Sequence, residues 1–388
     1  MAEPRSPGFL PAHRQPGYRV RLEWGPTGAA AVAGGDRPAD VAVVVDVLSF
    51  TTTLGIALER GTTVLPFRWR DERARAYAAA QDAVLAVGRL EARSLSRTDE
   101  AGAPGGGPVV TLSPAAMTRI SGVPRLVLPS PNGSTICAAL AGGVGGSGVD
   151  GAGVDGAGAG GAGAGGSGAG GSGAGGSGAG GSGVGGAGAD GSGVDGSGVG
   201  VSGAGGSGDS GVGGAGVGGA GADVAGVGVS GAGGSGDSGV GGGAQVAGAG
   251  GGPAVVAASL RNAAAVADWL APRVAAGATV ALVPAGERWP DGSLRPAAED
   301  LWGAGAVLAG LPATLLADPV ATSPEARVAV AAWRSVADRL PAELAACAGG
   351  RELADLGFAD DVAVAAQVGA SGVVPLLVDG EFRPAPVM

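Results

Sequence analysis

The sequence predicts an α/β fold with a mainly parallel or mixed sheet covered by helices. Short apolar runs rich in Val, Leu and Ala alternate along the chain with longer stretches of helical pattern, which is typical of this class. A long Gly-rich segment at residues 142–252 interrupts the alternation, and the same pattern resumes after it. Without that segment about 275 residues remain, enough for one sizeable domain.

These shifts in composition predict four parts. Residues 1–17 are rich in Pro and are predicted to be a disordered tail. Residues 18–141 and 253–388 are predicted to form the two parts of one α/β domain. Residues 142–252 consist almost entirely of Gly, Ala, Ser and Val, so this low-complexity insert offers too little apolar surface to offset the entropy of ordering.

In the first part, apolar runs predict strands at 18–24, 41–47, 63–67, 83–87 and 125–128. Helices are predicted at 51–59, which Gly61 ends, and at 71–81, where Asp71 and Glu72 suit the helix dipole. Ser113-Pro114 predicts the start of a short helix, and a further helix ends at Leu140. The segment after Arg89, rich in Gly and Pro, is predicted to be a loop.

In the second part, strands are predicted at 254–258, 278–283 and 373–378. A helix follows Asn262 and ends near Val274, and another spans 296–309. Ser323-Pro324 predicts the start of a helix that reaches residue 338, since Ser is a preferred N-cap and Pro a preferred first residue. Shorter helices are predicted at 341–348, 351–356 and 360–368.

The insert is interpreted as a flexible loop or linker. A 14-residue sequence beginning at Val201 recurs unchanged from Val229, which indicates recent repeat expansion. The alternative is that the insert is itself the functional part, as an interaction or assembly segment.

The amino-acid composition limits the reaction mechanisms and ligands that the chain can have. His13 is the single histidine and the chain has no lysine, which disfavours most hydrolase mechanisms based on histidine and excludes lysine Schiff bases. The net charge is −10, of which the seven Asp of the insert account for −7, leaving −3 for the rest. We therefore expect no nucleic-acid binding, which requires a basic surface.

Two cysteines, Cys137 and Cys347, are too few for a disulfide framework and are expected to be reduced core residues. The N-terminus lacks an apolar signal core, and no run of about 18 apolar residues suggests a membrane span. We expect a cytoplasmic location and no membrane partner.

Polar clusters follow the predicted strands. Because ligands bind beyond the carboxyl ends of strands in such sheets, these clusters are expected to meet at one edge. Carboxylates beside hydroxyls and amides suit Mg²⁺, and arginines suit phosphate. The clusters are Asp46 with Thr51, Thr52 and Thr53; Arg89; Asn132, Gly133, Ser134 and Thr135; Arg261 with Asn262; Glu287 and Arg288 with Glu299 and Asp300; and Asp360 with Asp361.

Each cluster also has a structural interpretation, as a helix cap, a turn or a solvated ion pair. A phosphorylated Asp46 is disfavoured because Leu48 stands two residues later, where haloacid-dehalogenase-type phosphatases carry a second Asp. Attack by a metal-activated water is preferred.

The motifs resemble the 2-phosphosulfolactate phosphatases of coenzyme M biosynthesis. The resemblance runs from Val41 to Val378 outside the insert. Five segments carry it: Asp46-Val47-Leu48 with Thr51–Thr53, Pro131–Thr135, Ser259–Ala263, Glu299-Asp300 with Gly303–Gly305, and Gly357–Val362 with Val374-Pro375.

The resemblance implies a Mg²⁺-dependent phosphatase acting on 2-phospho-3-sulfolactate or a similar small phosphorylated hydroxy acid. The same resemblance implies that six residues belong to the site: Asp46, Asn132, Asn262, Glu299, Asp300 and Asp361. Two departures, Ser49 where the family often has Arg and an altered element at 88–92, bear on the substrate rather than on the reaction.

The sequence therefore predicts an enzyme, with Mg²⁺ as cofactor and a small anionic phosphorylated substrate as partner; a homodimer is one assembly the chain could form. Catalytic candidates are Asp46, Glu299 and Asp300, and metal-ligand candidates are these three with Asp361. Substrate-binding candidates are Thr51, Thr52, Thr53, Arg89, Asn132, Gly133, Ser134, Thr135, Arg261, Asn262 and Arg288. The alternative is a non-catalytic domain that binds a phosphorylated metabolite. Asp46→Asn is expected to abolish turnover with little loss of stability.

Overall fold

The computed structural model describes residues 8–34, 38–68, 71–99, 109–142 and 252–386. The predicted insert, apart from Gly142 and Gly252 at its ends, lies outside the described residues, as do the first seven residues of the predicted tail. The rest of that tail is attached to the fold. Residues Pro11–Arg14 form a short 3-10 helix, and the buried side chain of Gln15 exchanges two hydrogen bonds with the main chain of Leu22.

Nine strands form one sheet. They are β1 Val20–Leu22, β2 Val41–Val45, β3 Thr63–Phe67, β4 Val84–Leu85, β5 Arg125–Pro129, β6 Ala254–Ala258, β7 Val280–Pro284, β10 Pro375–Val378 and β11 Glu381–Pro384. Two further strands, β8 Glu287–Arg288 and β9 Leu294–Arg295, form a separate small hairpin.

The sheet consists of two parallel blocks joined by an antiparallel hairpin. The order is β1-β7-β2-β6-β10-β11-β3-β5-β4. Strands β1, β7, β2 and β6 are parallel to one another, as are β3, β5 and β4, while β10 and β11 are antiparallel to each other and to the neighbour on either side. The hairpin therefore reverses one block relative to the other. This mixed sheet confirms the predicted fold class.

Helices surround the sheet. Those of the first part are α1 Gly25–Val32, α2 Phe50–Glu59, α3 Glu72–Ala80, α4 Arg89–Asp99, α5 Pro114–Met117 and α6 Gly133–Leu140. Those of the second part are α7 Ala263–Ala275, α8 Ala298–Ala309, α9 Ala313–Ala317, α10 Pro324–Val336, α11 Leu340–Ala346, α12 Ala348–Asp355 and α13 Ala359–Ala365.

Strand β2 shows how the sequence produces the core. Val41, Val43 and Val45 are buried in a cluster with residues of α7, α8 and α10, whereas Val44 is buried with residues of α2 and α6. A strand buried on both faces explains the uninterrupted apolar run, because successive side chains point to opposite faces. Full burial of each valine contributes about 1.5–3 kcal/mol.

Local signals located most elements correctly, and the differences have identifiable causes. The first part of the predicted loop after Arg89 is wrong, because α4 spans Arg89–Asp99 and its polar sequence suits a helix that is exposed on one side. Residues 100–108 of that loop lie outside the described residues. Helix α1 and strand β11 were not predicted. Helix α1 is rich in Gly and Ala, and β11 follows its partner β10 after a two-residue turn at Asp379-Gly380, both with positive φ.

No helix within the described ranges combines the length and apolar character needed to cross a bilayer.

Candidate functional site

Asp46 lies at the junction of two helix N-termini. Its Oδ1 accepts a hydrogen bond from the main-chain N–H of Phe50 at 3.1 Å, and its Oδ2 accepts one from Gly133 at 3.0 Å. These residues begin α2 and α6, so the positive ends of both helix dipoles point at one carboxylate. The side chain is buried, and the short approach of α6 requires glycine, since a Cβ at Gly133 would lie 2.8 Å from Oδ2.

Asp300 is bound in the same way on the other side of this turn. Its Oδ1 accepts from the N–H of Val47 at 2.7 Å and its Oδ2 from that of Gly286 at 2.9 Å. Because Val47 directly follows Asp46, Asp300 joins the first turn of α8 to the ends of β2 and β7. Both candidates are thus in one buried group, and both carboxylates stabilise the main chain of the turns around them.

Glu299, the neighbour of Asp300, is equally buried but has weaker hydrogen-bond partners. Its Oε2 lies 3.3 Å from the Cys347 thiol, a weak donor, and no described residue donates to Oε1. Gly349 lies against this side chain, because a Cβ there would come within 2.3 Å of Oε1. Glu299 therefore has one oxygen that accepts no hydrogen bond from a described residue, whereas both oxygens of Asp300 accept one.

Burial raises the pKa of Asp46, Asp300 and Glu287, and neighbouring carboxylates add to the rise. Burial raises the pKa of Asp46, and the nearby charge of Glu299 adds to it, although the two main-chain amides and the charge of Arg89 oppose the rise. Burial and the charges of Asp46 and Glu299 hold the pKa of Asp300 well above its usual range. Burial, followed by the charge of Asp46, raises the pKa of Glu287 to about 7. The site therefore gathers several carboxyl groups whose charged forms burial disfavours.

A cavity of about 470 Å³ adjoins this group. Ser49, Arg89, Asn132 and Glu287 provide its polar part, and Gly349 separates it from Glu299. The Ser49 hydroxyl does not cap α2 and forms no hydrogen bond with a described residue. A cavity of this size holds a small metabolite rather than a polymer.

Arg89 is held rigidly at the cavity wall. Its Nε donates to Oδ2 of Asp361 at 2.6 Å, and its Nη2 donates to the carbonyl oxygen of Leu48 at 2.9 Å. Asp361 also accepts from the hydroxyl of Ser113 at 2.5 Å and from the N–H of Ala115 at 3.0 Å. Asp361 is thus fully occupied in positioning Arg89 and α5, whereas Nη1 of Arg89 remains for a ligand.

Asn132 and Glu287 form a second polar pair in the cavity. The side-chain amide of Asn132 donates to Oε2 of Glu287 at 2.8 Å. This bond favours the charged form of Glu287, but less than burial disfavours it. The result is a carboxyl group at the cavity that is close to half-protonated at neutral pH, which suits proton transfer.

The three threonines are placed differently from the prediction that they bind substrate. The Thr51 hydroxyl donates to the carbonyl of Asp46 at 2.6 Å, that of Thr52 to Val47 at 2.7 Å, and that of Thr53 to Leu112 at 3.0 Å. All three side chains are buried, and none of them lines the cavity. Their hydroxyls satisfy main-chain acceptors around the turn after β2, which is the structural alternative.

Ser134 and Thr135 are also turned towards the main chain. The Ser134 hydroxyl donates to the carbonyl of Phe67 at 2.8 Å and that of Thr135 to Ser130 at 3.0 Å. In the Asn132–Thr135 segment, the side chain of Asn132 faces the cavity and the N–H of Gly133 reaches Asp46.

Arg261, Asn262 and Arg288 do not line the cavity. Arg261 is buried between Gln367 and Glu59, and Asn262 closes the turn after β6 through Ser259 and Val373. Arg288 is exposed and donates to Gly292 at 3.0 Å. Asp46, Asn132, Glu287, Glu299 and Asp300 thus converge, with Arg89 held by Asp361. The prediction that they follow strands ending at one edge is wrong, because Arg89 and Asn132 follow β4 and β5 of the block that runs in the opposite direction.

Sequence reasoning left Glu287 outside the final set of site residues, although it lay in a named cluster. Its position, three residues after the end of β7, was the sequence feature that indicated a site residue. No local sequence pattern indicated that Cys347 and Gly349 contact the site, because these contacts follow from the packing of α12 on Glu299.

No group of three or more His, Cys, Asp or Glu side chains in the described parts of the chain is arranged to hold a metal ion by itself. Sites that Mg²⁺ completes with water and phosphate oxygens need only one or two carboxylates.

Residues 242–380 match the family model described as 2-phosphosulpholactate phosphatase. The match supports membership of this family. It covers Glu287, Glu299, Asp300 and Asp361 of the site, whereas Asp46, Arg89 and Asn132 lie before it. No curated protein matches the chain. The family is one of phosphatases, which supports a phosphatase activity for this chain.

Proposed function

We propose that the protein is a Mg²⁺-dependent phosphatase that hydrolyses the phosphomonoester of a small acidic metabolite, 2-phospho-3-sulfolactate or a similar phosphorylated hydroxy acid. One observation carries the proposal: a fixed guanidinium, Arg89, and a carboxyl group with a pKa of about 7, Glu287, line one cavity beside a buried group of carboxylates. The family match supports the same reaction class.

The cluster of buried carboxyl groups supports a divalent cation. Buried carboxylates are stabilised by a cation or by protons, and burial, with a smaller contribution from neighbouring carboxylates, raises the pKa of Asp46 and Asp300. Asp46 and Glu299 would hold the ion, since one Glu299 oxygen accepts no hydrogen bond from a described residue and each Asp46 oxygen accepts only one. Asp300 has the same hydrogen-bond pattern as Asp46, but its bonds already fix the turns after β2 and β7. Bound Mg²⁺ would neutralise charge on the phosphoryl group and lower the pKa of a water molecule.

The residues of the chain have distinct tasks in this reaction. Arg89 binds and orients a phosphate oxygen, because its other donors are committed to Asp361 and Leu48. Asn132 orients Glu287, which accepts a proton from the attacking water. The water oxygen bonds to phosphorus, the ester P–O bond breaks, and the released alkoxide takes a proton from solvent water, while Glu287 returns its proton to the solvent. Asp300 keeps the turn after β2 in place.

The test is phosphate release from phosphorylated hydroxy acids, with Mg²⁺ and with a chelator in its place. We expect release with Mg²⁺ that falls at least tenfold with chelator. A second measurement, Mg²⁺ binding by titration calorimetry, should lose its signal in Glu299→Gln. Release that is equal with and without the metal would overturn Mg²⁺ dependence, and ligand binding without any release would favour the non-catalytic alternative.

A further inference from the structure

One wall of the cavity is apolar and faces the space where the organic part of a substrate would lie. Leu90 and Leu356 line it and remain 57% and 41% exposed, and Leu353 and Phe358 extend the same surface. Exposed large apolar side chains that gather at a cavity mark a binding surface more than a solvent face.

The charges around the cavity do not suit a polyanion. Among the described residues that line it, Arg89 is the only basic one, and Asp361 already neutralises much of its charge. Glu91 and Glu352 lie at the same cavity as Glu287, so acidic side chains outnumber basic ones there. Such a field repels each further anionic group of a ligand.

A neighbouring arginine does not supply a second anion site. Arg93 donates to the carbonyl oxygens of Leu356 and Gly357 at 2.6 and 3.0 Å, and its guanidinium stacks on Phe358 at 4.1 Å. These contacts direct it to the outer side of the apolar wall, and it does not line the cavity.

We infer that the phosphorylated acid bound here carries an apolar substituent, which packs on Leu90, Leu353, Leu356 and Phe358, in place of a second strong anion such as a sulfonate. The inference rests on the proposed function and defines its substrate class. Arg89 and the metal would bind the phosphate, and the apolar wall would pack against the substituent; the carboxylate is common to these acids and does not distinguish them.

Three esters that differ at a single carbon test this inference. They are the phosphate esters of lactate, 3-phenyllactate and 3-sulfolactate, whose third carbon bears hydrogen, a phenyl ring or a sulfonate. We expect kcat/KM to be highest for the phenyllactate ester and at least tenfold lower for the sulfolactate ester. A sulfolactate ester hydrolysed as fast as the phenyllactate ester, or faster, would overturn the inference.

Binding separates this inference from the proposed function. Phosphonate analogues of the same three acids, with a methylene group in place of the ester oxygen, cannot be hydrolysed, and their dissociation constants are measured by calorimetry with Mg²⁺ present. If no ester is hydrolysed but the phenyl analogue binds most tightly, the proposed function fails and the inference stands. Absence of binding, or tightest binding of the sulfonate analogue, overturns the inference.

Variants of Leu356 give a second readout. Leu356→Ser is expected to reduce the preference for the phenyl substituent at least threefold, and Leu356→Arg to increase kcat/KM for the sulfolactate ester. Val328→Ser is the matched control, since Val328 is 61% exposed on α10 and does not line the cavity. Equal preferences in Leu356→Ser and Val328→Ser would contradict the role of the wall.

Discussion

Gly133 donates its main-chain N–H to Oδ2 of Asp46 at 3.0 Å, although the strands that precede these residues, β5 and β2, are five positions apart in the sheet. In a flat sheet the two strands would lie about 24 Å apart, with their carboxyl ends at opposite edges because the blocks run in opposite directions. Twist and curvature of the sheet together are therefore needed to bring these ends close. The Phe50 N–H occupies Oδ1 of the same carboxylate. One buried side chain thus connects the two parallel blocks and fixes the N-termini of α2 and α6.

Asp46→Asn should therefore reduce both activity and stability. Asparagine keeps one acceptor oxygen, so one of the N–H groups of Phe50 and Gly133 would face an amide NH₂. Leaving a buried N–H without an acceptor costs about 1–3 kcal/mol. Urea denaturation should show a decrease of this size in the free energy of unfolding, whereas the sequence-based expectation is little change in stability. Phosphate release should be lost.

Asp40→Asn is the control for that variant. Asp40 precedes β2 at its opposite end and accepts from the N–H of Thr279 at 2.7 Å, but it is exposed to water. We expect its stability and activity to stay close to those of the unchanged protein. An Asp46→Asn protein as stable as Asp40→Asn would show that the two amide bonds contribute little.

Local patterns were sufficient to predict most elements of this fold. The valine-rich run of β2 and the Ser-Pro pairs that begin α5 and α10 depend on neighbours in sequence, and the Ser113 and Ser323 hydroxyls accept the capping bonds expected of them. The nearness of Asp46, Glu299 and Asp300 followed from the rule that strand ends carry sites.

The reversal of one block relative to the other could not be predicted in this way. It depends on the β10–β11 hairpin, which joins the blocks through single bridges from Leu376 to Val256 and from Phe382 to Val64. The directions of the side chains could not be predicted from local sequence either. The hydroxyl of Thr53, for example, donates to the carbonyl of Leu112, which is 59 residues later in the chain. Such contacts are decided by tertiary packing.

Gly349→Ala should reduce activity with little change in stability. The new Cβ would lie 2.3 Å from Oε1 of Glu299, so this carboxylate must move, whereas its flexible end allows the fold to persist. Gly349 lies in α12, where alanine favours the helix by up to about 1 kcal/mol. Phosphate release should fall at least tenfold, and the thermal midpoint should fall by no more than a few degrees.

Gly55→Ala makes the same change in α2 without a new contact, because nothing lies within 4 Å of its Cβ. It should be as active as the unchanged protein and slightly more stable. Equal activity of the two alanine variants would mean that the position of Glu299 does not matter for the reaction.

Glu287 should make stability depend on pH in the metal-free protein. Its pKa rises from 4.5 to about 7 on folding, so between these values the native state holds a proton that the unfolded chain releases. Stability contributed by this proton is present below about pH 4.5 and is lost as pH rises to about 7, by up to about 3 kcal/mol. Urea titrations at pH values across this range, with chelator present, should show that the free energy of unfolding decreases as pH rises.

In Glu287→Gln, the part of the stability loss between about pH 4.5 and 7 that Glu287 causes should be absent, because glutamine stays neutral. Glu325→Gln, at an exposed position in the first turn of α10, should keep the full pH dependence. Identical pH profiles for the unchanged protein and Glu287→Gln would assign the decrease to other carboxylates.

Arg89→Lys should weaken substrate binding more than it slows the chemical step. A single ammonium group cannot bond to Asp361, reach the carbonyl of Leu48 and also bind phosphate, whereas the guanidinium has donors for all three. We expect KM for the phosphorylated acid to rise at least tenfold, with a smaller change in kcat. Arg75→Lys, at an exposed arginine 3.9 Å from Glu91, should leave both constants unchanged. A KM for Arg89→Lys equal to that of Arg75→Lys would remove Arg89 from the phosphate site.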